Sequence, residues 1–512
     1  MAEASAERRP GQCLALGLVA LGAIVAFSPS LANGFVYDDH WTIEGNRALL
    51  LPLRTLLRGL LGGNGVRLGI PDATRPAMGV SLWIDRRLFG LHPEGHHLHS
   101  LVSYAVCSVV ATLALFSLSR RRSTALIGGL LFAVMPLHTE VVAAVNYRED
   151  LIAATSVFAV LSYVFWPRRG KPFVDHAVLV AAFLLWGLAG KESAIVVVPL
   201  LAVLLLGSRK GRARARSHLG ALGFLGAAVG IFAAFRTFLA LSGGDDVPVS
   251  LSPRGVGERL SRTAGYLDWA SYRTFLPIRV TPDHPARGVP SAAHFVVLGV
   301  VVAVVVLLAR RRRTRTVAAG VAIALVAPLA TSPLVSPINE FADRYLFVGT
   351  LGAALTYGAL ASEALDLVPA RARPALLIGL LPLVLACRDA SRAFRSDRSL
   401  FEYAARQEPT SARAFAGLAR ALRLEGDLPG AERAADHAVE LDPHFLRARV
   451  VRVYNRLARG DVVGARAEIA VIEQLGGARQ YGLARARRCA ALSPAEAVGC
   501  SRDRVPETPA DR

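Results

Sequence analysis

The chain has 512 residues, 53% hydrophobic and 19% charged, with a mean hydropathy of +0.40. That balance excludes a large water-soluble globule, which carries more charge and less apolar surface. The net charge of +20 does not indicate nucleic acid, because the basic residues fall in short runs at 120–122, 168–171, 209–216, 310–315 and 371–373, each without Asp or Glu; this is the positive-inside pattern of cytoplasmic loops, not one basic surface.

Apolar runs of roughly 17–25 residues follow one another, each long enough to cross a hydrocarbon core. The first span is expected at 12–32, after Arg8 and Arg9. Ser30-Leu31-Ala32 also resembles a signal-peptide cleavage site. A retained anchor is favoured, since chemistry-bearing residues follow at once. Further spans are expected at 98–118, 124–141, 150–166, 175–190, 193–207, 218–241, 292–309, 316–334, 344–364 and 374–387, about eleven in all. The basic runs then share the cytoplasmic side with the N-terminus. Loops 33–97 and 242–291, and everything after 388, lie opposite. Lysine occurs only as Lys171, Lys191 and Lys210 among 59 basic residues. Such a GC-rich codon bias points to a bacterium, hence to an inner membrane and a periplasmic tail.

Ionisable residues are scarce inside the spans and gather where spans meet the outer side. A proton-coupled transporter would place them near the midplane. A lipid-linked substrate needs them at the interface. Asp38 and Asp39 follow the first span; adjacent carboxylates raise one another's pKa, and either suits a general base. The plain alternative is a solvated turn. Arg75 lies in Thr74-Arg75-Pro76, and His92, His96 and His97 follow a stretch with Trp83, Leu88 and Phe89 that suits an interfacial helix. Adjacent His96 and His97 cannot both face one ion from a helix, so no metal site is expected. His138 and Glu140 flank an expected kink at Pro136, with Asn146, Arg148, Glu149 and Asp150 beyond. Arg148 suits a phosphate. Lys191 and Glu192 sit between two spans with almost no loop, either as a functional cation or as a structural pair. Asn339, Glu340, Asp343, Arg344 and Tyr345 open a later span, where Arg344 either binds phosphate or pairs with Asp343. Together these residues suit a substrate with an apolar tail, a phosphate and a sugar.

The tail changes character. Residues 411–443 read SARAFAGLARALRLEGDLPGAERAADHAVELDP, the helix–turn–helix pattern of a tetratricopeptide repeat. Phe415, Leu418 and Leu422 line the first helix, Gly426 ends it, Ala431, Ala435 and Ala438 let the second approach closely, and Pro443 closes the unit. Gly460, Ala465 and Ile469 keep register in a second copy, and 400–409 form a preceding half-unit. Residues 492–512 are polar and are expected to be disordered. Of Cys13, Cys107, Cys387, Cys489 and Cys500, only the last two are placed to pair, given an oxidising compartment.

The stretches FVYDDHWTI, RPAMGVSLWIDRRLFGLHPEGHHL, FAVMPLHTEVVAAVNYREDLIAA, GKESAIVVVPL and FADRYLF, with the repeat tail, resemble the transmembrane and tetratricopeptide-repeat-containing O-mannosyltransferases and their bacterial relatives, of the GT-C glycosyltransferase class. The resemblance implies an all-α polytopic bundle over 1–387, a short repeat solenoid over 388–491, and the tail 492–512. It implies inverting transfer of a sugar, mannose in that family, from a polyprenyl-phosphate carrier to a hydroxyl acceptor such as Ser or Thr of exported proteins. No cofactor beyond the lipid-linked sugar is implied, and no divalent metal. Asp38 or Asp39 would be the catalytic carboxylate, with Asp38 favoured. Arg75, His97, His138, Glu140, Arg148, Lys191 and Arg344 would bind the donor phosphate or substrate. Two departures stand out: fewer repeats than the animal members carry, and His96 where they have a small or aromatic residue. The rival readings are a non-catalytic scaffold whose repeats bind a periplasmic partner, and a flippase, which the scarcity of mid-span charge disfavours.

Overall fold

The computed structural model describes residues 8–63, 65, 70–167, 174–206, 209–241, 256–277, 280–282, 284, 292–332, 341–477, 480 and 482–502. Among these residues every regular element is helical. The elements that position the site are α1 (Arg8–Phe27), α2 (Pro76–Phe89), α3 (Pro93–Ser119), α4 (Arg122–Ala133), α5 (Thr139–Ala143), α6 (Arg148–Phe165), α7 (Val174–Gly190), α8 (Thr350–Leu365) and α9 (Leu381–Ala393). The tail contributes α10 (Asp397–Gln407), α11 (Ala412–Glu425), α12 (Leu428–Leu441), α13 (Leu446–Ala458), α14 (Val462–Gln474), α15 (Leu483–Ala490) and α16 (Pro494–Arg502).

The longest helices of the first part carry apolar residues on their outward faces as well as toward the core. α1 buries Val19, Ala23 and Ala26 yet leaves Leu14, Leu18 and Leu21 exposed. Such outward leucines are costly in water and at home in lipid. The chain is an integral membrane protein. Among the described residues four helices are long and apolar enough to cross a bilayer, Gln12–Ala32, Pro93–Ser119, Leu219–Leu239 and Arg371–Ala393, and up to six spans result if each of two bent pairs counts as one. Shorter apolar helices, His176–Gly190, His294–Arg310 and Arg315–Thr331, fall where further spans are expected. Length and apolarity therefore mark fewer spans than the sequence reading does. Charged ends are one cause: α6 begins with Arg148, Glu149 and Asp150.

Small residues set the helix spacing. A Cβ on Gly128 of α4 would lie 2.6 Å from the Ala354 carbonyl oxygen, and one on Gly358 of α8 would lie 2.5 Å from that of Thr124. The two backbones touch because neither helix has a side chain between them. The expected kink is present: Arg122–Ala133 and Pro136–Ala143 meet at 52°, where Pro136 lacks the N–H a continuous helix needs.

In the tail, α11 with α12 and α13 with α14 pack as successive helix pairs. Asp427 and Asp461 cap the second helix of each pair by accepting from Gly430 and Gly464 N–H, and Gly426 takes the left-handed conformation at φ 94°. Ala431, Ala435, Ala438 and Ala465 are fully buried, as their close-packing role requires. One expectation needs correcting. Disorder from 492 is overturned at Pro494–Arg502, which forms α16, packs on α13, and is tied back by Cys489–Cys500 with a Cα–Cα distance of 5.6 Å. Its polar composition hid a helix start, because Pro at the first helical position is a start signal.

Candidate active site

The Asp-Asp loop leaves α1 and runs under the tail. Asn33 donates to the Ser391 carbonyl at 2.9 Å, and Gly34 N–H to that of Arg395 at 3.2 Å. Tyr37 then takes φ 54°, uncommon for a non-glycine residue. One carboxylate, Asp397 at the start of α10, holds the loop on both sides of Asp38. It accepts from Tyr37 N–H at 2.8 Å and bonds His40 Nε2 at 3.0 Å. Hydrogen bonds to Asp397 and Glu44 push the His40 pKa up to about 9, against its burial.

The two adjacent acids differ. Asp39 is fully buried and accepts backbone N–H groups from Asn146 at 2.7 Å and from Val36 and Val145 at 3.3 Å. It pins the loop to the 145–147 turn. Burial lifts its pKa to about 7 despite those bonds. Asp38 is half-buried; Tyr147 donates to its Oδ2 at 3.1 Å, and among the described residues its Oδ1 accepts nothing. Burial raises the Asp38 pKa, and the Arg344 charge and the Tyr147 hydroxyl oppose that rise. Asp38 is thus the acid with an available oxygen and heightened basicity.

Around it runs a chain of opposite charges. Arg344 pairs with Glu140 and lies over the rings of Tyr147 and Tyr345, at 4.4 and 4.8 Å from their centroids. Lys191 binds Asp150 at 2.7 Å and Glu149 at 3.0 Å, with the Tyr345 ring 5.9 Å away. Arg75 binds Glu149 at 2.7 Å and Glu192 at 3.0 Å. The three cations face five carboxylates once Asp38 is counted, so the cluster is acid-rich and its cations are already partnered.

A cavity opens between this cluster and the tail, lined by Tyr37, Glu140, Tyr147, Arg344, Phe401 and Arg413 among others. Its volume of about 30 Å³ suits a water molecule or two, not a sugar. Among the described residues no group of three or more His, Cys, Asp or Glu is arranged to hold a metal.

Of the residues singled out from sequence, Asp38, Arg75, Glu140, Lys191 and Arg344 are brought into this network. Three are not. Arg148 is buried in the bundle, where it donates to Ser100, Ser81, the His96 carbonyl and Asp85, the last at 2.6 Å. Its guanidinium is spoken for, which corrects its expected phosphate role. His138 is fully buried between Tyr104 and Thr350, at 2.8 and 2.7 Å. His97 is fully buried, with Nε2 3.2 Å from the Gly34 carbonyl, and supports the loop from below. Asp343 does not pair with Arg344; it binds Arg273 and His284, both at 2.9 Å. Asn339 and Glu340 lie outside the described residues. Tyr147, Asp397 and Arg413 were missed. Asp397 acts across some 357–360 positions, and no local pattern signals it.

An all-α membrane bundle carrying a half-buried acid, buried cations and a helical tail around one cleft defines a class of protein. Comparison gives the particular likeness. The chain is 34% identical over 150 residues to Protein O-mannosyl-transferase Tmtc1 of Drosophila melanogaster, covering 29% of this chain and 17% of that protein. It is 31% identical over 153 residues to the human Protein O-mannosyl-transferase TMTC3 (29% and 16% covered) and 35% over 159 residues to the human Protein O-mannosyl-transferase TMTC4 (28% and 21%). These matches fall in the family that the sequence motifs resemble. The chain thus spans less than a quarter of the length of these relatives. No family model matches it.

Proposed function

We propose that this chain is an inverting glycosyltransferase that moves a sugar, mannose by its likeness to the named O-mannosyl-transferases, from a polyprenyl-phosphate donor to a Ser or Thr hydroxyl of an exported protein. The reaction runs on the non-cytoplasmic face, in a bacterial inner membrane. Asp38 takes the proton of the acceptor hydroxyl. The hydroxyl oxygen bonds to the anomeric carbon as the bond from that carbon to the phosphate oxygen breaks, and the electron pair leaves with the phosphate. Arg344 exchanges Glu140 for that phosphate, and Lys191 and Arg75 add positive charge around it. Stabilising the leaving phosphate in a water-poor site is the largest electrostatic contribution. The cleft must open to admit the sugar, a common gating step.

One observation carries this reading: Asp38 keeps an unbonded oxygen next to Tyr147 and Arg344, while its neighbour Asp39 is consumed by backbone bonds. The Cys489–Cys500 pair supports an oxidising, non-cytoplasmic setting for the tail. The test is full-length protein in proteoliposomes, given polyprenyl-phosphate mannose and an acceptor protein. Transfer should occur and should vanish in Asp38→Asn. Undiminished transfer by that variant, or an unchanged set of periplasmic glycoproteins in a deletion strain, rules the reading out.

A further inference from the structure

Tyr147 reaches both halves of the proposed chemistry. Its hydroxyl donates to Asp38 Oδ2 at 3.1 Å. The face of the same ring lies 4.4 Å from the Arg344 guanidinium. The ring is buried, and it walls the cavity together with Arg344. Asp38 is 109 positions away in the chain, so the contact is made by the fold. Asp39 makes it: its carboxylate accepts the N–H groups of Val145 and Asn146. The turn that carries Tyr147 is thereby fastened to the residue next to Asp38.

A carboxylate turns easily about its last torsion and can present either oxygen. A donor on Oδ2 opposes that turning and leaves Oδ1 as the oxygen without a partner among the described residues. It also favours the ionised form of Asp38, against the burial that raises its pKa. Arg344 and Arg447 act in the same sense as Tyr147, and the acids Asp39, Asp72 and Glu149 act against it; Tyr37, its own pKa raised by burial, stays neutral. The ring has a separate effect. When the donor phosphate takes Arg344 from Glu140, the guanidinium keeps the aromatic faces of Tyr147 and Tyr345. An aromatic face attracts a cation without neutralising it, so the charge stays in place and stays available.

We propose that Tyr147 is a positioning residue of the transfer: its hydroxyl fixes which Asp38 oxygen meets the acceptor, and its ring holds the Arg344 guanidinium for the donor phosphate. This rests on the transferase reading and adds to it the side chain that sets the base against the phosphate-binding cation.

The test separates hydroxyl from ring, using full-length protein in proteoliposomes with polyprenyl-phosphate mannose and a saturating acceptor protein. Tyr147→Phe keeps the ring and removes the hydroxyl. Its kcat should fall by about tenfold, the effect of one hydrogen bond to a charged group, with the donor KM unchanged. The acid limb of its kcat/KM profile should move up by about one pH unit, because Asp38 must be ionised to act and has lost a group that favours ionisation. Tyr147→Leu removes the ring as well and should raise the donor KM by about threefold or more. If that variant fails to fold, fluorotyrosine at position 147 serves: it keeps the ring, donates more strongly, and should move the acid limb down. A rate loss in Tyr147→Phe with an unmoved acid limb makes the hydroxyl merely structural and overturns the proposal. So does an unchanged donor KM in folded Tyr147→Leu, or an acid limb that fluorotyrosine leaves in place. Absence of transfer by the unaltered protein sinks the transferase reading and this proposal with it; transfer with an unaltered Tyr147→Phe profile sinks this proposal alone.

Discussion

Two buried arginines, Arg148 and Arg344, sit in the same membrane protein with opposite prospects. Arg148 is closed. Five groups of the protein hold it, Ser81, Ser100, His99, the His96 carbonyl and Asp85, and Asp85 is its counter-ion. Arg344 is open on one side. It has one carboxylate, two aromatic rings and a face on the cavity. Both are expensive to bury, and both look functional from sequence. The contrast teaches that cost alone does not mark a site. What marks it is a charge whose partners leave room for something else.

The contrast can be broken most sharply through the chemistry. Asp38→Asn and Arg344→Ala should each lower transfer in proteoliposomes by about 10²–10⁴-fold, the range for a lost base or a lost charge stabiliser; Asp38→Asn should leave the melting temperature almost unchanged, whereas Arg344→Ala also strands buried Glu140 and should lower it. Arg148→Ala should do the reverse of Asp38→Asn. It strands Asp85 in the bundle, a cost of about 3–5 kcal/mol, read as a lower melting temperature in detergent. An Arg148→Ala protein that melts normally yet fails to turn over would erase the distinction. Asp39→Asn should cost about 1–3 kcal/mol, because an amide N–H would face backbone N–H donors. Its transfer activity, measured below its melting temperature, should survive far better than that of Asp38→Asn. The smallest effect concerns pH. His40 has its folded-state pKa raised to about 9 from 6.5, so its contribution is complete below pH 6.5 and disappears as pH rises through 9. The melting temperature should fall across that window, and His40→Gln should flatten the fall.

Much of this layout was legible in the chain. Alternating apolar and basic runs gave an all-α membrane bundle, and the spacing of Gly426, Ala431, Ala435 and Ala438 gave the helix pairs of the tail. The cluster of Asp38, Glu140, Lys191 and Arg344 was visible because each follows or opens an apolar run. Arg148 was misread for a physical reason. Its partners Ser81, Asp85 and Ser100 lie 48–67 positions earlier, and only the packing of α2 and α3 on α6 brings them to it. His138 was misread likewise, since Tyr104 and Thr350 come from distant helices. Asp38 and Asp39 look alike in a string; backbone direction alone turns one toward N–H groups and the other toward space.

Asp397 has a consequence for how the cleft works. A single side chain of α10 grips the loop before and after Asp38, and α10 and α11 also wall the cavity through Leu400, Phe401 and Arg413. A movement separating α10 from the loop would break both bonds at once and release the Tyr37 backbone, held at φ 54°, beside Asp38. Under the proposed transferase reading, opening the cleft for the sugar and freeing the proposed base Asp38 would be one movement, because Asp397 is the hold common to both.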